Sequence, residues 1–204
     1  MTQQLSFIHR FEKGTSQQAP LLLLHGTGGD ENDLVDLGRT FSADRSLLSP
    51  RGQVLENGMP RFFRRLAEGV FDEADVIKRA NDLADFIVAA CKAHDLKMPV
   101  AVGFSNGANI AAAMLFLRPE VLSGAVLLRA MVPLKNPPAA DLAHKSVLLI
   151  SGAADPIIPA SNALQLATML KADHAEVQHE ILQTGHNLTQ TDVSLAKTWL
   201  GSKG

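Results

Sequence analysis

Residues 103–114 read GFSNGANIAAAM. Ser105 stands between Gly103 and Gly107, directly after the apolar run MPVAVGF and directly before a run of small residues. A short unbroken apolar run predicts a strand buried on both faces. The stretch from Asn106 to Leu117, with Pro119 just beyond it, predicts a helix. The segment therefore reads as a sharp strand-to-helix corner with a serine at its tip. In the G-x-S-x-G pattern such a corner holds the serine in a strained conformation that exposes its hydroxyl. Glycine two positions to either side removes side chains that would clash in the turn. The helix N-terminus adds N–H groups and the positive end of a dipole beside the hydroxyl. The competing reading is a serine N-cap at an ordinary strand-helix junction, and the rest of the chain has to decide between them.

Outward from this corner the chain alternates. PLLLLHG, RSLLSPRG, LSGAVLLRAMVP, KSVLLISGAADP and AEVQHEIL predict strands, and LSFIHRF is a candidate first strand or edge hairpin. Residues 75–94 predict a helix, with Val76, Ala80, Leu83, Ile87 and Cys91 forming one apolar stripe. Residues 159–171 and 188–200 predict two more, the last opened by a capping-box pair, Thr189 and Asp192. This rhythm predicts an α/β fold: a mostly parallel twisted sheet with helices on both faces, forming a single domain over residues 1–204. The one long stretch without a clear pattern is residues 51–74, RGQVLENGMPRFFRRLAEGVFDEA, and such stretches usually form lids, pocket walls or partner surfaces.

Composition narrows the function. Of 204 residues, 46% are hydrophobic and 20% charged, as in a globular domain with a sizeable core. The formal charge of -2, with acids and bases interspersed, offers no electrostatic case for nucleic acid or an anionic membrane. Cys91 is the only cysteine, so no internal disulfide can form. With no apolar leader in MTQQLSFIHRF, it points to a cytoplasmic location. No His, Cys, Asp or Glu cluster has metal-ligand spacing, and no cofactor motif is present.

A serine nucleophile needs a base, and the base an orienting acid. His9, His94, His144, His174 and His179 lie within strand or helix patterns. His186, in QTGHNL, lies in a glycine-containing loop after the last strand. In a parallel sheet that loop emerges at the carboxyl edge, where catalytic groups gather. Asp155, in SGAADPIIP, also directly follows a strand, although Asp before Pro is common in plain turns. Asp141, Asp173 and Asp192 sit in a proline-rich connection or near helix ends. The glycine-rich LLLLHGTGGDEND lacks the lysine of a phosphate loop. It is suited instead to offering the backbone N–H of Thr27 to an oxyanion, with Asn106, next after the serine, offering the second.

LHGTGGDEND, GFSNGANIA, SGAADPIIP and GHNL together resemble the phospholipase/carboxylesterase branch of the α/β-hydrolases over nearly the whole chain, and the small bacterial carboxylesterases in particular. That branch also holds acyl-protein thioesterases. The resemblance implies an α/β-hydrolase fold without a large cap domain, Ser105 as nucleophile, His186 as base, Asp155 as orienting carboxylate, and Thr27 and Asn106 as the oxyanion hole. It implies no cofactor, no metal and a homodimer as an available assembly. Dienelactone hydrolases are similar but use a cysteine, and Cys91 falls mid-helix. The expected activity is hydrolysis of small soluble carboxylic esters. A thioesterase or cofactor-free perhydrolase on the same residues is an alternative, and so is a binding protein that kept the fold without catalysis. Met59, Phe62 and Phe63 are expected to form a short apolar wall of the pocket; the competing reading anchors the two phenylalanines in the core or in a dimer contact.

Overall fold

The computed structural model describes residues 5–202. The opening MTQQ of the amino-terminal segment, and Lys203 and Gly204 at the end of the expected domain, lie outside them. In chain order the elements are β1 (His9–Glu12), β2 (Leu21–Leu24), α1 (Val35–Phe41), β3 (Leu47–Pro50), β4 (Val54–Glu56), β5 (Met59–Arg61), β6 (Arg65–Ala67), β7 (Val70–Phe71), α2 (Glu73–His94), β8 (Val100–Phe104), α3 (Asn106–Leu117), β9 (Gly124–Leu128), β10 (Ser146–Gly152), α4 (Ala160–Ala172), β11 (Glu176–Leu182) and α5 (Gln190–Ser202). Seven strands form one sheet in the order β1-β3-β2-β8-β9-β10-β11. All neighbours are parallel except β1, which runs antiparallel along β3 at the edge.

The two faces of the sheet are legible in single strands. In β2, Leu22 and Leu24 enter a core shared with α2, α3 and α4, whereas Leu21 and Leu23 enter one shared with α1 and α5. β9 divides in the same way: Ala125 and Leu127 face the first core, Val126 and Leu128 the second. Successive side chains alternate across a strand, so four consecutive apolar residues serve two helical layers at once. Cys91 lies in the first core on α2, and burial pushes its thiol up to about 11. It behaves as a small hydrophobe.

Two expectations change. Residues 51–74 are not irregular: β4 pairs with β5 and β6 with β7 as two small antiparallel hairpins. Asn57 and Gly58 both have positive φ, 52° and 81°, as the central pair of a tight hairpin turn requires. The seven-residue α1 was not expected. Its N-cap, Leu34, makes no side-chain capping bond, so it lacks the start signal that Asp72 gives α2.

The corner at Ser105 is set by close approach. A Cβ on Gly107 would lie 2.0 Å from the Leu24 carbonyl oxygen, and one on Gly103 would lie 2.6 Å from the Ala108 nitrogen. Neither glycine has a positive φ; the residue that does is Ser105 itself, at φ 51° and ψ -113°. The glycines thus let α3 begin against the backbone of β2, and the strain falls on the serine. Gly107→Ala is expected to cost about 3 kcal/mol or more, because the atom it strikes is backbone and cannot rotate away. Urea unfolding would measure this, and a midpoint equal to wild type would show that α3 shifts at no cost.

Candidate active site

The carboxyl ends of neighbouring strands supply the site. β8 ends into Ser105, β2 leads to Thr27, β10 to Asp155 and β11 to His186. Asp155 accepts the Nδ1–H of His186 at 2.8 Å through Oδ2. A carboxylate is only an acceptor, so this bond fixes the proton on Nδ1 and leaves Nε2 to accept the Ser105 hydroxyl at 3.0 Å. Asp155 is itself held: its Oδ1 accepts the N–H groups of Ile157 and Ile158 at 2.8 and 3.0 Å, and its side chain is 1% exposed. The structure thus brings Ser105, His186 and Asp155 into one hydrogen-bonded chain.

Asn106 is the first residue of α3, where a backbone N–H has no intrahelical partner. Its side chain tells more. Oδ1 accepts the Phe62 N–H at 2.7 Å, which settles the amide's orientation and leaves Nδ2 buried without a partner. The Thr27 loop is tied on both sides: the Gly28 N–H donates to the Pro60 carbonyl and the Gly29 N–H to the Gly26 carbonyl. Below the loop, His25 is buried. Its ring nitrogens meet the Gly26 carbonyl at 2.7 Å and the Gly52 N–H at 3.0 Å, and its ring packs on Phe62. The first contact requires a donor and the second an acceptor, so the ring is bound as the neutral form. Burial pushes its pKa below the ordinary value.

A cavity of about 270 Å³ opens over Ser105, with Thr27, Asn106 and His186 in its wall. This is at the small end for a ligand pocket. Phe71, Phe104, Met131, Ile157 and Ile158 supply its apolar surface. A larger depression of about 430 Å³, lined by Lys13, Gln18, His94 and Lys97 among others, lies by the amino ends of the strands, away from Ser105.

The expected pocket wall of Met59, Phe62 and Phe63 is not there. Phe62 and Phe63 are buried in the core, at 3% and 0% exposure, Phe63 edge-on to Phe71. Met59 lies exposed against Gly28. The two phenylalanines anchor the hairpins, and the phenylalanines that reach the cavity are Phe71 and Phe104. Residues that sequence reasoning passed over also shape the site. Arg129, in a left-handed conformation just after β9, is fully buried. It forks onto Asp192 at 2.7 and 3.0 Å and donates to the carbonyls of Gly185 and Asn187 on either side of His186. Asp192 also closes the expected box with Thr189. The only trace of this in the sequence is an arginine ending the apolar run GAVLL.

Fold and site together define a hydrolase of the serine-esterase type, and the chain belongs to the phospholipase/carboxylesterase family, whose pattern matches residues 9–202. It is 46% identical over 193 residues to the putative hydrolase MhqD of Bacillus subtilis, spanning 94% of this chain and 96% of that one. Among solved structures, the Bacillus cereus carboxylesterase is 46% identical and superposes with a TM-score of 0.95, covering 98% of this chain and 95% of that one. YahD, solved with malic acid, is 30% identical with a TM-score of 0.91, covering 97% and 100%.

Two outcomes follow for the scaffold of the site. Asp192→Asn leaves Arg129 buried without its counter-charge and is expected to destabilise the protein by about 3 kcal/mol or more; an unchanged urea midpoint would show that the carbonyls of the His186 loop suffice. For His25, a folded pKa below the unfolded one means stability is fully present above about pH 6.5 and is lost as pH falls through the folded value. Unfolding midpoints from pH 7 to 5 are therefore expected to fall more steeply in wild type than in His25→Asn, and parallel slopes would remove His25 from the acid response.

Proposed function

We propose that this protein is a carboxylesterase that cleaves small soluble carboxylic esters through a covalent acyl-enzyme. The observation that carries the reading is the hydrogen-bonded chain from Ser105 through His186 to buried Asp155, opening into a small cavity. His186 Nε2 takes the hydroxyl proton as Ser105 Oγ attacks the ester carbonyl. The oxyanion is received by the backbone N–H groups of Thr27 and Asn106, which cost no reorganisation as charge develops. His186 then gives the proton to the departing alcohol. In the second half, water loses a proton to His186, attacks the acyl carbonyl and releases the acid with Ser105 restored. Asp155 keeps the imidazole in the required tautomer and balances its charge when protonated.

The size of the cavity supports short acyl groups, and malic acid, with which YahD was solved, is an acid of that scale. The one thiol, buried as Cys91, fits a cytoplasmic enzyme.

Ser105→Ala is expected to fold normally and lose about 10⁴-fold or more in kcat, and a fluorophosphonate to label the wild type once, at Ser105. Asp155→Asn is expected to lower kcat strongly with little change in KM. Full turnover by Ser105→Ala on oxygen esters and thioesters would remove the serine mechanism.

A further inference from the structure

The cavity over Ser105 carries a charge that hydrolysis of an ester does not itself require. Two arginines line it, Arg61 at the end of β5 and Arg65 at the start of β6. Among the described residues its wall holds no Asp or Glu. The one acid that meets both guanidinium groups is Glu56, which accepts Arg65 Nε at 2.9 Å and lies 3.1 Å from Arg61 Nη1. Two cations and one anion leave a single positive charge. Glu56 does not occupy every donor of the pair: its Oε1 meets Arg65 at Nε and its Oε2 meets Arg61 at Nη1.

Their donors divide in the same way. Arg61 spends Nε on the Phe63 carbonyl at 3.2 Å and Nη1 on Thr27 Oγ1 at 2.9 Å. Arg65 spends only Nε. Nη2 of Arg61 and both terminal nitrogens of Arg65 have no partner among the described residues. A largely buried guanidinium beside apolar Phe71 and Met131 is costly unless something balances it. Arg61 is also more than a strut for its hairpin, since its bond to Thr27 fixes it next to the reacting centre.

From these observations we infer that Arg61 and Arg65 form a carboxylate subsite, and that the preferred substrate carries a carboxylate in addition to its ester bond. The inference rests on the esterase reading and deepens it. The forked donors of arginine match the two oxygens of a carboxylate, and the single residual positive charge matches a monoanion better than a phosphomonoester dianion. The products of such an ester are a small dicarboxylic acid with an alcohol, or an acid with a hydroxy acid, according to which side of the ester bears the charge.

The experiment compares kcat/KM for anionic and neutral ester pairs of equal size. Monoethyl succinate against ethyl succinamate, its primary amide, puts the charge on the acyl side. The butyryl ester of glycolate against that of glycolamide puts it on the alcohol side. The quantity read is the anionic-to-neutral ratio in wild type and in Arg65→Gln, so intrinsic reactivity and active fraction both cancel. The ratio is expected to fall by about tenfold or more in Arg65→Gln in at least one pair, as for loss of a charge-assisted hydrogen bond. Arg65→Lys, which keeps the charge without the fork, is expected to fall between. Ratios unchanged by Arg65→Gln in both pairs, in an enzyme that still cleaves the neutral esters, would overturn the subsite and leave the esterase standing. A wild type that cleaves neither ester and takes no fluorophosphonate at Ser105 would overturn both.

Discussion

The site depends on one close approach: the first turn of α3 pressed onto the end of β2. With no side chain at Gly107, the helix starts against the carbonyls of Leu24 and His25. This brings the N-terminus of α3 beside the loop that leaves β2, so Asn106 and Thr27 face one cavity from two different strands. It also forces Ser105 into its positive-φ conformation, because strand and helix must join across one residue. The strained serine and the meeting of Asn106 with the Thr27 loop are two results of a single packing constraint, and strain at such a point persists only where surrounding structure over-determines it. Here that structure is the parallel sheet, with the Ser105 N–H itself bonded to the Leu128 carbonyl of β9.

The histidine is secured in another way. His186 lies in a loop, and loops are mobile unless tied down. Arg129 ties this one by donating to the carbonyls on both sides of the histidine while its charge is met by Asp192 at the start of α5. Asp155 is fixed by the N–H groups of its own turn. Each member of the chain is therefore located by backbone contacts as well as by its neighbour, which is what a nucleophile and base within hydrogen-bond reach require.

Much of this was legible in the sequence, for identifiable reasons. Strands buried on both faces leave unbroken apolar runs, so β2, β8, β9 and β10 stood out. G-x-S-x-G and the order Ser105, Asp155, His186 located the carboxyl-edge residues because Ser105 and Asp155 follow such runs and His186 lies in the loop after the last strand. α1 was missed because it is short and lacks a capping side chain. The hairpins were missed although Asn57-Gly58 is a strong local turn signal. The pocket wall failed for a deeper reason. Phe62 and Phe63 are neighbours in a segment without a readable period, and which way each points is set by Phe71 of the next hairpin and by His25 and Asn106, which are far off in the chain. The pairing of Arg129 with Asp192, across 63 positions, left no spacing to read.

The residues proposed to perform chemistry and those proposed to surround the ligand come from different parts of the chain. Ser105, Asp155 and His186 stand at strand ends of the central sheet, whereas Arg61, Arg65 and Phe71 arrive on two hairpins outside it. The division allows the hairpins to vary without disturbing the sheet, but it is incomplete. The Gly28 N–H bonds to the Pro60 carbonyl, Arg61 bonds to Thr27 Oγ1, and Asn106 Oδ1 holds the Phe62 N–H. Both residues proposed for the oxyanion site are thus tethered to β5 or the residue that follows it. A displacement of that hairpin therefore moves the Thr27 loop and the start of α3 as well as the cavity wall, so in the proposed mechanism recognition and rate are set through the same few bonds.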